Sequence, residues 1–145
     1  MITARLSTRS DPAGAGHFGA PRGDRTHKGQ DYCCLPGAEI LAPVPDGQVW
    51  SVSKWGYPYT DGYGGVNQVQ TPIYRYVELK DLTGRRHRIF YVDPLVELND
   101  LVTCKTVIGI TQDVTLRYPQ YPDMTPHVHY EVMLPDGSCI DPVMG

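Results

Sequence analysis

Two runs, Ile73-Tyr74-Arg75-Tyr76-Val77-Glu78-Leu79 and Arg86-His87-Arg88-Ile89-Phe90-Tyr91-Val92, alternate in hydrophobicity on either side of Asp81-Leu82-Thr83-Gly84. A period of two sends successive side chains to opposite faces, and glycine closes a tight turn, so this stretch predicts a β-hairpin. Shorter β-rich runs surround it. Glu39 to Pro43 and Gly47 to Val52, separated by Pro45-Asp46-Gly47, predict a second hairpin. Val107 to Ile110 reads as a buried strand, and a last hairpin turns at Pro135-Asp136-Gly137. Nowhere does a helical period of apolar residues persist. The expected fold is all-β: one antiparallel, sandwich-like domain with long loops over one face.

With 145 residues, the chain is long enough to bury about two-thirds of the surface its unfolded form exposes, which suits a single domain. A net charge of −3 gives no general attraction to nucleic acid or anionic membranes, though it leaves room for a local basic patch. No apolar run approaches the ~20 residues that span a bilayer. Met1 to Pro12 carries two arginines without an apolar core behind them, unlike a secretion signal. If the target lies outside the cell, delivery by lysis or in a virus particle is then expected. The four cysteines (Cys33, Cys34, Cys104 and Cys139) form no C-x-x-C pair; buried thiols and a distant disulfide both remain open.

The regular strands leave three irregular stretches. Residues 1–16 form a polar arm, ordered by contact if at all, ahead of a β domain over 17–145. Lys54 to Pro72 holds Trp55, Tyr57, Tyr59 and Tyr63 among four glycines. A loop this long in a compact domain is commonly functional or disordered, and its aromatics either line a groove or pack outside the sheet. Leu116 to Met124, with Tyr118 and Tyr121 each before a proline, forms a second irregular wall.

That wall leads into Thr125-Pro126-His127-Val128-His129-Tyr130-Glu131-Val132. On a strand His127 and His129 share a face with ~7 Å between their Cβ atoms. A hundred residues upstream lies His27-Lys28-Gly29-Gln30-Asp31. A catalytic zinc takes three protein ligands and keeps a place for water, and His27, Asp31 and one of His127/His129 make such a set. The other histidine is then free for proton transfer.

Phe18-Gly19 with Arg22, the His27 to Asp31 step, Pro36-Gly37, Ala42-Pro43, Asp46-Gly47 and Val49 run in a familiar order. With Val102, Ile108-Gly109, Pro126 to Val132, Asp136-Gly137 and Asp141-Pro142, the chain resembles the lysostaphin-type (LytM-like) zinc endopeptidases over about residues 18–143. The resemblance implies a compact antiparallel domain with a loop-walled groove that cuts peptide cross-bridges of bacterial peptidoglycan. It also implies that His27, Asp31 and His129 hold Zn²⁺ and that His127 is catalytic. A phage tail or tail hub, with other virion tail proteins as partners, would be one setting for such a chain.

The chain departs from that pattern in two places. The family's second catalytic histidine, in a Tyr-x-His step, is matched by Tyr91-Val92-Asp93, so Asp93 stands at an altered catalytic position. An ionised carboxylate repels a developing oxyanion, and losing one donor there costs about 3 kcal/mol of barrier. His87, six residues back along the strand and ~20 Å away, does not substitute. The glycine-rich loop before the H-x-H is replaced by Tyr118 to Met124. Leukocyte chemotaxin-type proteins are similar in these respects: they share the zinc fold, carry a Phe-Tyr-x-x-Pro run like Phe90 to Pro94, and bind without cleaving. That similarity implies a zinc-containing but catalytically silent module as the alternative.

Overall fold

A computed structural model describes residues 8–11, 14–22, 25–52, 74–118 and 120–142. In chain order the strands are β1 (Ser10–Asp11), β2 (Gly14–Ala15), β3 (Pro21–Arg22), β4 (Arg25–Thr26), β5 (Gln30–Cys33), β6 (Glu39–Leu41) and β7 (Asp46–Val52). They continue with β8 (Tyr76–Asp81), β9 (Arg86–Phe90), β10 (Val92–Pro94), β11 (Leu101–Thr103), β12 (Val107–Thr111), β13 (His127–Met133) and β14 (Cys139–Ile140). A single 3-10 turn, Val114–Arg117, is the only helical element among the described residues, and none is long and apolar enough to cross a membrane. The all-β antiparallel expectation holds.

A seven-stranded sheet runs in the order β11-β7-β8-β9-β13-β14, with β5 also paired to β13. Strand β13 therefore has β9 along one edge, and β5 then β14 along the other. The alternation in β8 and β9 buries Val77, Leu79 and Ile89 completely, where they meet Val49, Ile40, Ile108 and Val128. Each such side chain contributes about 1.5–3 kcal/mol on burial. The β8–β9 and β13–β14 hairpins form as expected, turning on Gly84 and Gly137 with φ of 88° and 90°.

The expected hairpin at Pro45-Asp46-Gly47 does not form. Strand β6 pairs with β12, in a second sheet ordered β10-β12-β6, while β7 pairs with β8 and β11. The link from Ala42 to Pro45 buries Ala42, and Val44 between two prolines, as the chain crosses from one sheet to the other without doubling back. The alternating run from Arg86 to Val92 is not continuous. Tyr91, at φ 70°, breaks it, and Val92–Pro94 resumes in the second sheet as β10.

Of the polar amino-terminal arm, residues 8–11 and 14–16 are described, and they lie against β5. Thr8 bridges Tyr32, the Arg9 amide donates to the Asp31 carbonyl (2.9 Å), and the Asp31 amide donates to the Gly16 carbonyl (2.7 Å). All four cysteines carry free thiols: Cys104 is exposed and the others are partly buried.

Candidate metal centre

Pairing of β5 with β13 brings the two halves of the sequence pattern together, with Asp31 opposite His129 and Cys33 opposite His127. His27 sits just before β5, its backbone amide bonded to the Ala20 carbonyl. Three side-chain atoms converge. His129 Nδ1 lies 2.9 Å from Asp31 Oδ1 and 2.9 Å from His27 Nε2, and His27 Nε2 lies 3.3 Å from Asp31 Oδ1. Ligand atoms about 2.0–2.1 Å from a tetrahedral metal are spaced at about 3.3 Å, so this triangle is close to the size of a metal's face. The three residues form a group able to hold a metal ion.

Each of the three is held from behind. His27 Nδ1 donates to the His17 carbonyl (3.1 Å), which leaves Nε2 with its lone pair inward. Arg9 Nε donates to Asp31 Oδ2 (3.0 Å) and its Nη1 to Asp11 Oδ1 (2.9 Å), so Asp31 keeps Oδ1 for the centre. His129 Nε2 donates to Glu131 Oε1 (2.9 Å), which orients the ring and raises its basicity. Asp11 Oδ2 in turn accepts from the Thr125 amide (2.8 Å), tying the arm to the approach of β13.

His127 is wired the same way but set back. Its Nδ1 donates to the Thr125 carbonyl (2.7 Å), and Nε2 faces Asp31 Oδ2 at 3.6 Å. The Tyr91 ring meets it edge-on at 5.9 Å, and Tyr91 in turn packs on Tyr74 at 5.5 Å. Its neutral Nε2 can therefore take a proton from a group bound next to Asp31. Behind the ligands the chain runs close: a Cβ on Gly29 would collide with the Tyr130 carbonyl and come within 2.9 Å of the His129 ring.

The electrostatics follow from this packing. Burial would raise the Asp31 pKa, but hydrogen bonds from His129 and His27 hold its carboxyl well below the usual range. Burial disfavours a charged His129, yet its bonds to Asp31 and Glu131 outweigh that and push its pKa up to about 9. Without a metal, a proton on His129 Nδ1 thus sits between Asp31 and His27 where a cation would. His127, with desolvation dominant, is held below its ordinary value and stays neutral.

The fold is matched in solved structures. They include a zinc-containing peptidase from Vibrio cholerae (21% identity over 93% of this chain and 36% of that one, TM-score 0.60). Another is the catalytic domain of the antimicrobial peptidase lysostaphin from Staphylococcus simulans (19%, 96% of this chain and 90% of that domain, 0.61). A third is a point mutant of the catalytic domain of the prophage-encoded M23 protein EnpA from Enterococcus faecalis (19%, 99% and 93%, 0.59). The chain has the lysostaphin-type fold. It spans about a third of the Vibrio cholerae peptidase's length. No protein-family model and no curated protein matches the sequence.

Within the lysostaphin-type fold the other expected positions are distributed unevenly. Asp93 lies on β10, its side chain 44% exposed and 3.8 Å from Arg75 Nη1. His87 is engaged elsewhere, Nδ1 with the Tyr130 hydroxyl (2.6 Å) and Nε2 with Asp81 Oδ2 (2.8 Å). Tyr118 packs against the Tyr74–Tyr91 cluster, while Tyr121 is exposed with its ring 6.4 Å from that of Tyr118. Trp55, Tyr57, Tyr59 and Tyr63 lie outside the described residues. Sequence reasoning missed Arg9 and Glu131. Glu131 carried a signal, because it continues the same-face series of His127 and His129; Arg9, alone in a polar arm, carried none.

Proposed function

We propose that this domain is a zinc-dependent peptidase acting on the peptide cross-bridges of bacterial peptidoglycan. In this reading His27 Nε2, Asp31 Oδ1 and His129 Nδ1 hold the ion, and His127 is the proton-transferring residue. The observation that carries it is that all three candidate ligands present one donor atom to a common point while a second residue occupies the other side of each. Such a second set of contacts is characteristic of a metal site. Bound zinc would supply Lewis acidity and a water of lowered pKa. The chain's own residues do the rest. His127 Nε2, kept neutral by burial, accepts a proton beside Asp31, while the Thr125 carbonyl keeps its ring from turning away.

The cell-wall target follows from the family resemblance in the sequence, and it is in keeping with a structural relative described as an antimicrobial peptidase. A virion tail, with other tail proteins as partners, accounts for delivery to the wall and is in keeping with a prophage-encoded structural relative. The silent zinc-containing module is the second reading, and Asp93 favours it. A carboxylate where the fold's enzymes use a histidine works against an oxyanion, although Arg75 lies near enough to offset part of its charge.

Metal analysis and digestion of purified peptidoglycan test both. One zinc per chain, lost in His129→Ala, is expected; no stoichiometric metal in the wild type defeats the assignment. Release of new peptide ends, lowered about 10²–10⁴-fold in His127→Ala, supports the enzyme. Inertness of the wild type with gain of activity in Asp93→His establishes the silent module instead. Mass spectrometry of purified virions for this chain tests the setting.

A further inference from the structure

The open face of the sheet beside the metal centre is arranged as a grid by its register. Across β13, β9 and β8, one row is His129–Phe90–Tyr76, the next Glu131–Arg88–Glu78, and the third Met133–Arg86–Lys80. The first row is an aromatic floor, with Phe90 5.5 Å from His129 and Tyr76 5.7 Å from Phe90. Beyond it the charges are layered. The Glu78 side chain is 3% exposed, while those of Arg88 and Arg86 are 35% and 30% exposed. Arg88 Nε donates to one Glu78 oxygen, and Arg86 Nη1 lies 3.6 Å from the other. Buried carboxylate thus holds two guanidiniums from below and leaves the outer sides of their forks toward solvent. Lys80 lies over the ring of the half-exposed Trp50 at 4.2 Å, and exposed Lys28 stands near Glu131 on the metal side. Four cations face two carboxylates, on a chain whose net charge is −3.

We propose that Arg86, Arg88, Lys80 and Lys28 form a subsite for a free carboxylate on the peptide substrate, selecting acidic stems over neutral or amidated ones. The inference rests on the proposed peptidase reading. Successive rows are ~7 Å apart along the strands, and an extended peptide advances ~3.3–3.6 Å per residue. The carboxylate therefore belongs about two to four residues from the bond at the metal centre. The aromatic row between them carries the intervening backbone. Phe90 and Tyr76 give it an apolar platform, and the Tyr76 hydroxyl is already fixed by Ser51 Oγ at 2.9 Å. Peptidoglycan peptides present such carboxylates wherever their acidic residues and chain ends are not amidated.

The test uses the full chain loaded with zinc and two forms of one cross-linked stem peptide, with carboxylates free or fully amidated. Wild-type protein is expected to bind the free form about tenfold more tightly at low salt, a preference that weakens as salt rises. In the Lys80→Gln/Arg86→Gln double variant, which leaves the Arg88–Glu78 pair in place, the ratio should fall to within twofold with zinc content unchanged. Equal binding of the two forms by wild type overturns the subsite alone, as does a preference that survives in the double variant. Binding of neither form by zinc-loaded wild type overturns the peptide-acting function and the subsite with it.

Discussion

Glu131→Gln should separate two effects of one carboxylate, and they have opposite signs at neutral pH. In the metal-free protein Glu131 and Asp31 together push the His129 pKa up to about 9. At pH 7 a proton must therefore leave before zinc enters, which weakens binding by roughly a hundredfold relative to pH well above 9, or about 2.7 kcal/mol. The same carboxylate makes His129 a better donor, and losing such a contact costs about 10–100-fold in metal affinity. Glutamine keeps an acceptor 2.9 Å from Nε2 but removes the charge, so proton competition and donor strength fall together. At pH 9.5 only the loss of donor strength remains, and the variant should bind zinc about 10–100-fold less tightly. At pH 7 the gap should narrow, and the rise of log K between pH 7 and 9 should be shallower in the variant. Competition against a chromophoric chelator across that range measures both slopes. Parallel lines for wild type and variant, or equal affinity at pH 9.5, would refute the link between Glu131 and the metal ligand.

Other perturbations probe the same wiring. Arg9→Ala removes a guanidinium from between Asp31 and Asp11 with side chains 5% and 4% exposed; it should cost about 3–5 kcal/mol, read as a lower Tm. A Tm within 2 °C of wild type would mean the arm is not docked in solution. Gly29→Ala forces a Cβ against the Tyr130 carbonyl and the His129 ring, so zinc affinity and Tm should both drop, measured by metal analysis and melting. With chelator present, Tm should fall as pH rises from 7 to 10. His129's raised pKa gives stability that is complete below about pH 6.5 and lost as pH climbs through about 9. Zinc-loaded protein should not show this alkaline loss, because the ion replaces the proton. On the acid side Asp31's lowered pKa gives stability present above about pH 4 and lost as pH falls toward its folded value.

The elements read correctly from sequence are those whose information is local. Strands β8 and β9 alternate and meet at a four-residue turn, and β13 combines Pro126 with same-face histidines, so period and turn chemistry suffice. The second sheet was hidden because β6, β10 and β12 are short and β6 finds its partner far along the chain; nothing in Glu39–Leu41 names Val107 as its partner. The grouping of His27 and Asp31 with the H-x-H strand was legible from residue type, and the family resemblance chose His129 over His127. The supports of the trio were not legible. The carbonyls of His17 and Thr125 have no residue-type signal, and Arg9 acquires its role only when the β5 edge receives the arm.

That division bears on what Asp93 does. His127 is positioned by β13 of the large sheet, the Thr125 carbonyl and the Tyr91 ring, whereas Asp93 belongs to β10 in the small sheet. Tyr91 joins the two: its positive φ turns the chain from β9 to β10 while its ring rests on His127. A change at residue 93 therefore alters charge on β10 and leaves the contacts of His127 and of the three ligand atoms in place. Zinc affinity and apo stability in Asp93→His should accordingly match wild type within about twofold and 2 °C, and only hydrolysis should change. A shift in zinc affinity beyond that would show that Asp93 contributes to the metal centre itself. In that case it could not be treated as a separate catalytic position.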